Sequence, residues 1–327
     1  MFKTALLSFR TQMNNTRDTR VSRKLSKELG KLNWQGCPVV IVAVPASVYL
    51  VKLCASLVPE DIPVKIVCNG LDSYERTWIA ENLCQHEQVS CRKMLLHSKV
   101  IDLVVDNADK QVIFLDFDCF VFERDFFYAL QESTIQKFAA SIFSNPQTSP
   151  PVKIPETFCF SVNVPKLRMV MEKYGVDTSL KKYDELTEKT KTALRTIGID
   201  DQNMPEKHKP YFDTFRLIYL LALVDGLNCE FIENFRTISK PSDQAFHVGA
   251  GHKTSKNDNL WNMSGTYFWR KSLELCPDEA LKAYYLKKYG EWSSKDVRTS
   301  APEVAETVGA CFFDFVDDLI SNLVNEK

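Results

Sequence analysis

Residues 37–59, CPVVIVAVPASVYLVKLCASLVP, decide the fold class, because the same letters admit two readings. As one apolar run the segment approaches the length that crosses a bilayer, which takes about 20 uninterrupted apolar residues. Its interior, however, carries Pro38, Pro45, Ser47 and Lys52. Pro38–Val44 is apolar and largely β-branched, as expected of a strand covered on both faces. Pro45 opens a turn. Ser47–Leu57 then has helical spacing, with Val48, Val51, Leu53 and Leu57 inward and Lys52 outward. Strand, turn and helix explain the segment better than a membrane span.

The same alternation continues outward. Pro63–Cys68 is a second strand, ended by Asn69-Gly70, and Asp72 or Ser73 caps a helix running to about Leu83. Val89–Lys93 is a short third strand, His97–Asn107 a helix, and Gln111–Leu115 a fourth strand ending at Asp116. This order predicts a parallel, doubly wound sheet, whose ligands sit beyond the carboxyl ends of its strands. Three such ends carry polar groups: Pro45-Ala46-Ser47, Asn69-Gly70 and Asp116-Phe117-Asp118. The second half is less regular. Strands are expected over 137–143, 157–162 and 229–232, and helices over 165–174, 186–197 and 212–224. The linker at 144–155 holds four prolines and reads as a loop free to move. No fixed-period repeat or low-complexity tract is visible.

Composition narrows the classes. The 327 residues are 45% hydrophobic and 25% charged, which excludes a disordered chain, a collagen-like repeat and a charged coiled coil. Lys and Arg number 41 against 42 Asp and Glu, a net charge of −1 that argues against a protein coating nucleic acid. The ten cysteines form no C-x-x-C pair and mostly lie in apolar runs. They read as buried free thiols, which favours a reducing, cytoplasmic location. The start, MFKTALLSFR, has too short an apolar stretch for a signal peptide. Charge is nevertheless uneven: residues 1–33 carry eight Lys and Arg against two acids, and residues 301–327 six acids against one Lys. The two ends are either solvated surface or, for the first, a basic arm for an anionic acceptor, a membrane surface or the acidic tail.

The strongest chemical signal is VIFLDFDCFVF (112–122). If the strand continues through the pair, Asp116 and Asp118 share a face. Close carboxylates repel unless a cation lies between them, and hard oxygen ligands suit a divalent ion. Asp-x-Asp after an apolar strand occurs in nucleotide-sugar glycosyltransferases, in haloacid-dehalogenase-type phosphatases and in translesion polymerases. The phosphatase pattern wants Thr or Val where Phe120 stands and normally opens its domain, although Asp200-Asp201 imitates its late acidic motif. The polymerase pattern wants a later Ser-x-Asp-Glu, which only Tyr183-Asp184-Glu185 approaches. Far along the chain, HVGAGHK (247–253) offers His247 as a third ligand, two glycines that let backbone approach a phosphate, and Lys253 to neutralise a diphosphate.

With these motifs in this order, the chain from about Pro38 to Lys253 resembles GT-A glycosyltransferases. VIFLDFDCFVF is similar to the strand and acidic pair of the glycogenin-like retaining family. That family ends its catalytic domain with His-x-x-Gly-x-x-Lys. Here His247 and Lys253 keep the spacing, and the glycine falls one place early, at Gly249. Lys99 matches the family's donor-binding cation, and Asp213-Thr214 stands where the family has Asp-Gln. The region also resembles inverting families, whose Glu-Asp pair opens a helix. Phe212 replaces the Glu, leaving Asp213 as a catalytic base or as a plain N-cap.

The resemblance implies a GT-A type α/β fold, a Rossmann-like, doubly wound, mostly parallel sheet with a mixed C-terminal half. It implies a catalytic domain over 37–255, divided at 122 into a nucleotide-sugar half and an acceptor half. A basic extension (1–36) precedes it and a helical extension (256–327) packs on it. The expected reaction moves a sugar from a UDP- or GDP-sugar to a glycan, lipid or protein acceptor. Asp116, Asp118 and His247 would hold Mn²⁺ or Mg²⁺. Pro45, Ala46 and Asn69 would line the base, with Asp116 near the ribose. Lys99 and Lys253 would meet the donor sugar and diphosphate. Acceptor contacts fall to Phe158–Val164 and to the aromatic run at 259–269, whose rings stack on a sugar face or belong to the core. No nucleic-acid partner and no membrane span are expected, while peripheral membrane contact stays open. The alternatives are a phosphatase with Asp116 as nucleophile and a degenerate transferase-like binding module.

Overall fold

The computed structural model describes residues 19–142, 144–146, 152–205, 211–232, 245–247 and 269–293. Helix α1 (residues 19–29) buries Leu25 and Leu29 and leaves Arg20, Arg23 and Lys24 exposed. The β-branched run becomes β1 (Val39–Ala43), five buried residues, and the helical spacing becomes α2 (Val48–Leu57). There follow β2 (Val64–Asn69), α3 (Ser73–Asn82), β3 (Glu87–Cys91), α4 (His97–Asn107) and β4 (Gln111–Leu115). Asp72 and Glu75 start α3 with a reciprocal capping box, each side chain taking the other's backbone N–H.

Beyond β4 lie β5 (Cys119–Val121), α5 (Asp125–Gln136), β6 (Ala139–Ser141), the paired β7 (Ser144–Pro146) and β8 (Lys153–Pro155), β9 (Cys159–Asn163) and α6 (Val164–Tyr174). The chain continues through β10 (Lys181–Lys182), α7 (Glu188–Arg195), β11 (Tyr211–Phe212), α8 (Arg216–Val224), β12 (Cys229–Phe231) and β13 (Ala245–His247). It closes with α9 (residues 269–274) and α10 (Glu279–Ser293).

Seven strands form one sheet in the order β3-β2-β1-β4-β9-β6-β12. All neighbours run parallel except β9, which is antiparallel to β4 and β6, so the mostly parallel sheet with a mixed second half is as expected. Val39 lies opposite both Val64 and Ile113, and the strand order therefore reverses direction at β1. Such a reversal leaves a crevice at the carboxyl edge. Apolar side chains cover both faces: α2, α3, α5, α9 and α10 on one, α1, α4, α6, α7 and α8 on the other. Nine cysteines among the described residues are free, seven of them buried. No helix among the described residues is long and apolar enough to cross a membrane.

Three expectations change. Asp116–Asp118 does not prolong the strand, because Cys119 N–H donates to the Asp116 carbonyl (3.0 Å) and turns the chain into β5. The helix expected over 212–224 begins only at Arg216. Phe212 pairs in β11, and Phe215 has φ 68°, outside the helical region. The strand expected over 137–143 contracts to Ala139–Ser141. The described ends of the linker pair as β7 and β8, while residues 147–151, the aromatic run before Trp269 and the acidic tail lie outside the described residues.

Helices α9 and α10 clamp the far side of the β1–α2 turn. Trp269 Nε1 donates to the Ala46 carbonyl (2.7 Å), Trp78 Nε1 donates to Asp278 (2.6 Å), and Tyr74 stacks on Tyr284 at 4.1 Å. Trp269, an acceptor-contact expectation, is thus a core residue.

Candidate active site

The acidic turn sits at the carboxyl edge of β4, directly beside the reversal at β1. Asp116 N–H donates to the Phe158 carbonyl (2.8 Å), which ties the turn to the entry of β9. From below, the buried thiol of Cys54 donates to the carbonyls of Phe117 (2.8 Å) and Cys119 (3.2 Å). Burial holds that thiol well above the ordinary cysteine range, so it stays protonated and able to donate. Backbone hydrogen bonds, not strand alternation, therefore keep the two carboxylates close.

Asp118 is buried and Asp116 half-buried. Burial pushes the Asp116 carboxyl well above its ordinary value, and the charges of Asp118 and Asp213 push it further. The structure thus brings Asp213 into electrostatic reach of the pair from a position about a hundred residues later. Asp213 is exposed, in a turn closed by Arg216 N–H on its carbonyl (3.0 Å), and its carboxylate accepts from Thr214 N–H (2.7 Å). The N-cap position of α8 belongs to Phe215, which overturns the plain-cap reading of Asp213.

His97 was not anticipated. It opens α4 as an exposed residue, and desolvation by neighbouring groups holds its imidazole below the usual histidine range. The charges of Asp213 and Asp118 act against that shift. Only its place after β3, at the start of a helix on the ligand-bearing edge, marked it in the sequence. The turn that carries Asp213 is followed by a buried ion pair: Arg216 Nη2 meets Oε2 of Glu156, two residues before Phe158, at 2.5 Å.

The other expected positions divide. His247 ends β13, which pairs antiparallel with β5 so that His247 lies opposite Cys119, one residue after Asp118. Lys253, Gly249 and Gly251 lie outside the described residues. Pro45 is half-buried at the end of β1. Ala46 is buried at φ 73°, its N–H donates to Glu75 Oε1 (2.7 Å) and its carbonyl accepts from Trp269. Asn69 is engaged within the fold as well. Its amide donates to the Leu95 carbonyl (2.9 Å) and accepts the Leu95 N–H (2.8 Å), so it secures the loop after β3. Lys99 is exposed on α4, two residues after His97, and lines a separate cavity with Arg23 and Asp102.

Residues 47–167 match the family model of the StrH glycosyltransferase N-terminal domain. The matched segment holds β2, β3, β4, β6 and β9 of the sheet together with the acidic turn. Among solved structures, the glycosyltransferase GlyE of Streptococcus pneumoniae is similar at 10% identity with a TM-score of 0.40, over 77% of this chain and 64% of GlyE. The bifunctional glycosyltransferase WbbM is similar at 12% identity and a TM-score of 0.35, over 62% of this chain and 40% of WbbM. The chain thus spans less than two thirds of either. No curated protein sequence matches it.

Proposed function

We propose that this protein is a metal-dependent glycosyltransferase that moves a sugar from a nucleoside-diphosphate sugar to a hydroxyl-bearing acceptor. The observation that carries the reading is the acidic turn of Asp116 and Asp118 at the carboxyl edge where the strand order reverses, with Asp213 and His97, from two other segments, within electrostatic reach. In the reaction the bond from sugar C1 to the diphosphate oxygen breaks and a bond from C1 to the acceptor oxygen forms. Asp213, the exposed carboxylate, takes the acceptor's proton.

Among the described residues no three His, Cys, Asp or Glu side chains close on a common metal position. Two crowded carboxylates, one of them pushed toward the protonated form by its neighbours, are still a donor set that Mn²⁺ or Mg²⁺ would relieve. Asp116 and Asp118 would hold the ion, with His247 from the neighbouring strand. A bound ion supplies charge neutralisation for the departing diphosphate.

The phosphatase alternative fares less well. The charges that act on Asp116 are those of Asp118 and Asp213, while Asp200 is committed to a local turn, accepting the N–H groups of Gln202 (3.0 Å) and Asn203 (2.7 Å). A panel of UDP- and GDP-sugars with Mn²⁺, scored for nucleotide release, is the direct test. Release that needs Mn²⁺ and disappears in Asp118→Ala supports the reading. Hydrolysis of an aryl phosphate that is lost in Asp116→Asn, with no nucleotide release, would replace it by the phosphatase.

A further inference from the structure

Helix α1 is flanked by two grooves, and their chemistry differs. One, of about 750 Å³, is lined by Arg20, Lys24, Arg76, Arg92 and Lys93, and no carboxylate lines it. Arg20, Lys24 and Arg92 are exposed. In a chain whose net charge is −1, this is a local positive field and not a share of a general one. The sequence before α1 adds Lys3, Arg10 and Arg17.

The turn that supplies Arg92 and Lys93 continues into Met94 and Leu96, whose exposures are 49% and 76%. The turn is also stiff. Gly70, at φ +79°, lies so close beneath it that a Cβ there would come within 2.6 Å of Met94 Cβ, and Asn69 grips Leu95 from both sides. Two large apolar side chains are therefore held outward on a rigid support, next to the cations of the first groove and at the edge of the second, which Arg23, Lys99, Asp102 and Asp177 line. A soluble polyanion would use the cations and leave Met94 and Leu96 in water. A phospholipid surface would use both, with phosphates on the cations and the apolar tips in the layer beneath the headgroups.

We propose that α1 and the Arg92–Leu96 turn form a docking face for an anionic phospholipid membrane. The face adjoins the reaction cleft, because His97 immediately follows Leu96. Docking would turn the carboxyl edge of the sheet toward the bilayer, where a lipid-linked acceptor or donor would be presented. The docking itself does not depend on the sugar-transfer reading.

The test is flotation of the full chain with phosphatidylcholine vesicles that contain or lack phosphatidylglycerol. Each cation near an anionic surface contributes about a fivefold gain in partitioning. Binding should accordingly be at least tenfold tighter to the phosphatidylglycerol vesicles and should fall with added salt. Lys24→Glu with Arg92→Glu should lower it at least tenfold, and Met94→Ser with Leu96→Ser severalfold, with circular dichroism melts unchanged. Equal binding to both vesicle types, or to neither, overturns the proposal. So does binding to heparin in solution that matches vesicle binding and ignores the Met94 and Leu96 changes, an outcome that would assign the groove to a soluble polyanion. If both double variants fail to fold, Arg20→Gln and Leu96→Ala, each at an exposed site, carry the same comparison.

Discussion

The Glu156–Arg216 pair joins the two sides of the candidate site, and removing it separates stability from alignment. Glu156 stands before Phe158, whose carbonyl holds Asp116 N–H, and Arg216 follows Asp213 in the turn that opens α8. The side chains are 8% and 4% exposed, and Arg216 Nε and Nη1 have no hydrogen-bond partner among the described residues. Glu156→Leu therefore strands a guanidinium away from water, a change that costs about 3–5 kcal/mol when a buried pair loses one partner. That is a large part of the ~5–15 kcal/mol that holds a typical folded protein together. The double variant Glu156→Leu with Arg216→Met removes both charges and fills the space with apolar atoms, and should return to within about 2 kcal/mol of the parent.

Equilibrium urea unfolding followed by tryptophan fluorescence reads these values, since Trp34, Trp78 and Trp269 are all buried. The coupling from the double-mutant cycle should be at least about 2 kcal/mol. In the same double variant, sugar transfer should fall about tenfold or more, because the strand entry that holds Asp116 is no longer bound to the turn that holds Asp213. A cost below ~1 kcal/mol for Glu156→Leu, or a double variant as unstable as the sum of the singles, would refute the argument that the pair is desolvated and mutually dependent. Full activity in a stable double variant would refute its alignment role.

Three other outcomes follow from the same geometry. Cys54→Ala removes the thiol beneath the acidic turn and should cost about 1–2 kcal/mol, while weakening Mn²⁺ binding in titration calorimetry by a larger factor than a distant substitution of equal destabilisation. Gly70→Ala forces a Cβ to within 2.6 Å of Met94 Cβ and 2.8 Å of its backbone at φ +79°, so it should lose about 2 kcal/mol or more by denaturant melts, and an unchanged midpoint would show that the turn gives way freely. Asp72, whose burial is outweighed by hydrogen bonds from Lys288 and Tyr284, is held down to about 2. Its folded value lies below the unfolded one of about 3.9, so its stabilisation is present above about pH 4 and is lost as pH falls toward 2. The side chain is 36% exposed, and solvent screening reduces the effect to about 1 kcal/mol. Asp72→Asn keeps a capping residue, so its melting difference from the parent should be seen at neutral pH and close as pH approaches 2.

What was legible in the sequence is what local periodicity dictates. Val39–Ala43, His97–Asn107 and Gln111–Leu115 announce their elements because each is written within about a dozen residues and both faces of the sheet are covered. The acidic pair was legible for the same reason, four apolar residues leading into two charges. Its geometry was not. Alternation predicts a shared strand face, whereas the Asp116 carbonyl closes a turn whose hydrogen-bond partners, Cys54 and Phe158, lie some 62 and 42 residues away. Phe215 misled in the opposite direction, since an apolar residue inside an apolar helical pattern gives no sign of a left-handed backbone.

The same distinction bears on two residues at strand ends. Asn69 and Ala46 stand at strand ends on the carboxyl edge, where ligands bind, and position alone marks them as binding residues. Every polar group at a strand end must also be satisfied, and a nearer partner takes precedence over an absent ligand. Leu95 for Asn69, and Glu75 with Trp269 for Ala46, are such partners, and each lies on another element. By this criterion Asp116, Asp118, Asp213 and His97 belong together in a different way. Asp116 is crowded by the charges of Asp118 and Asp213, and His97 sits within reach of Asp118 and Asp213. Clustered carboxylates oppose folding through mutual repulsion, so a fold that gathers them at its ligand-bearing edge places negative charge where a cationic ligand would be stabilised.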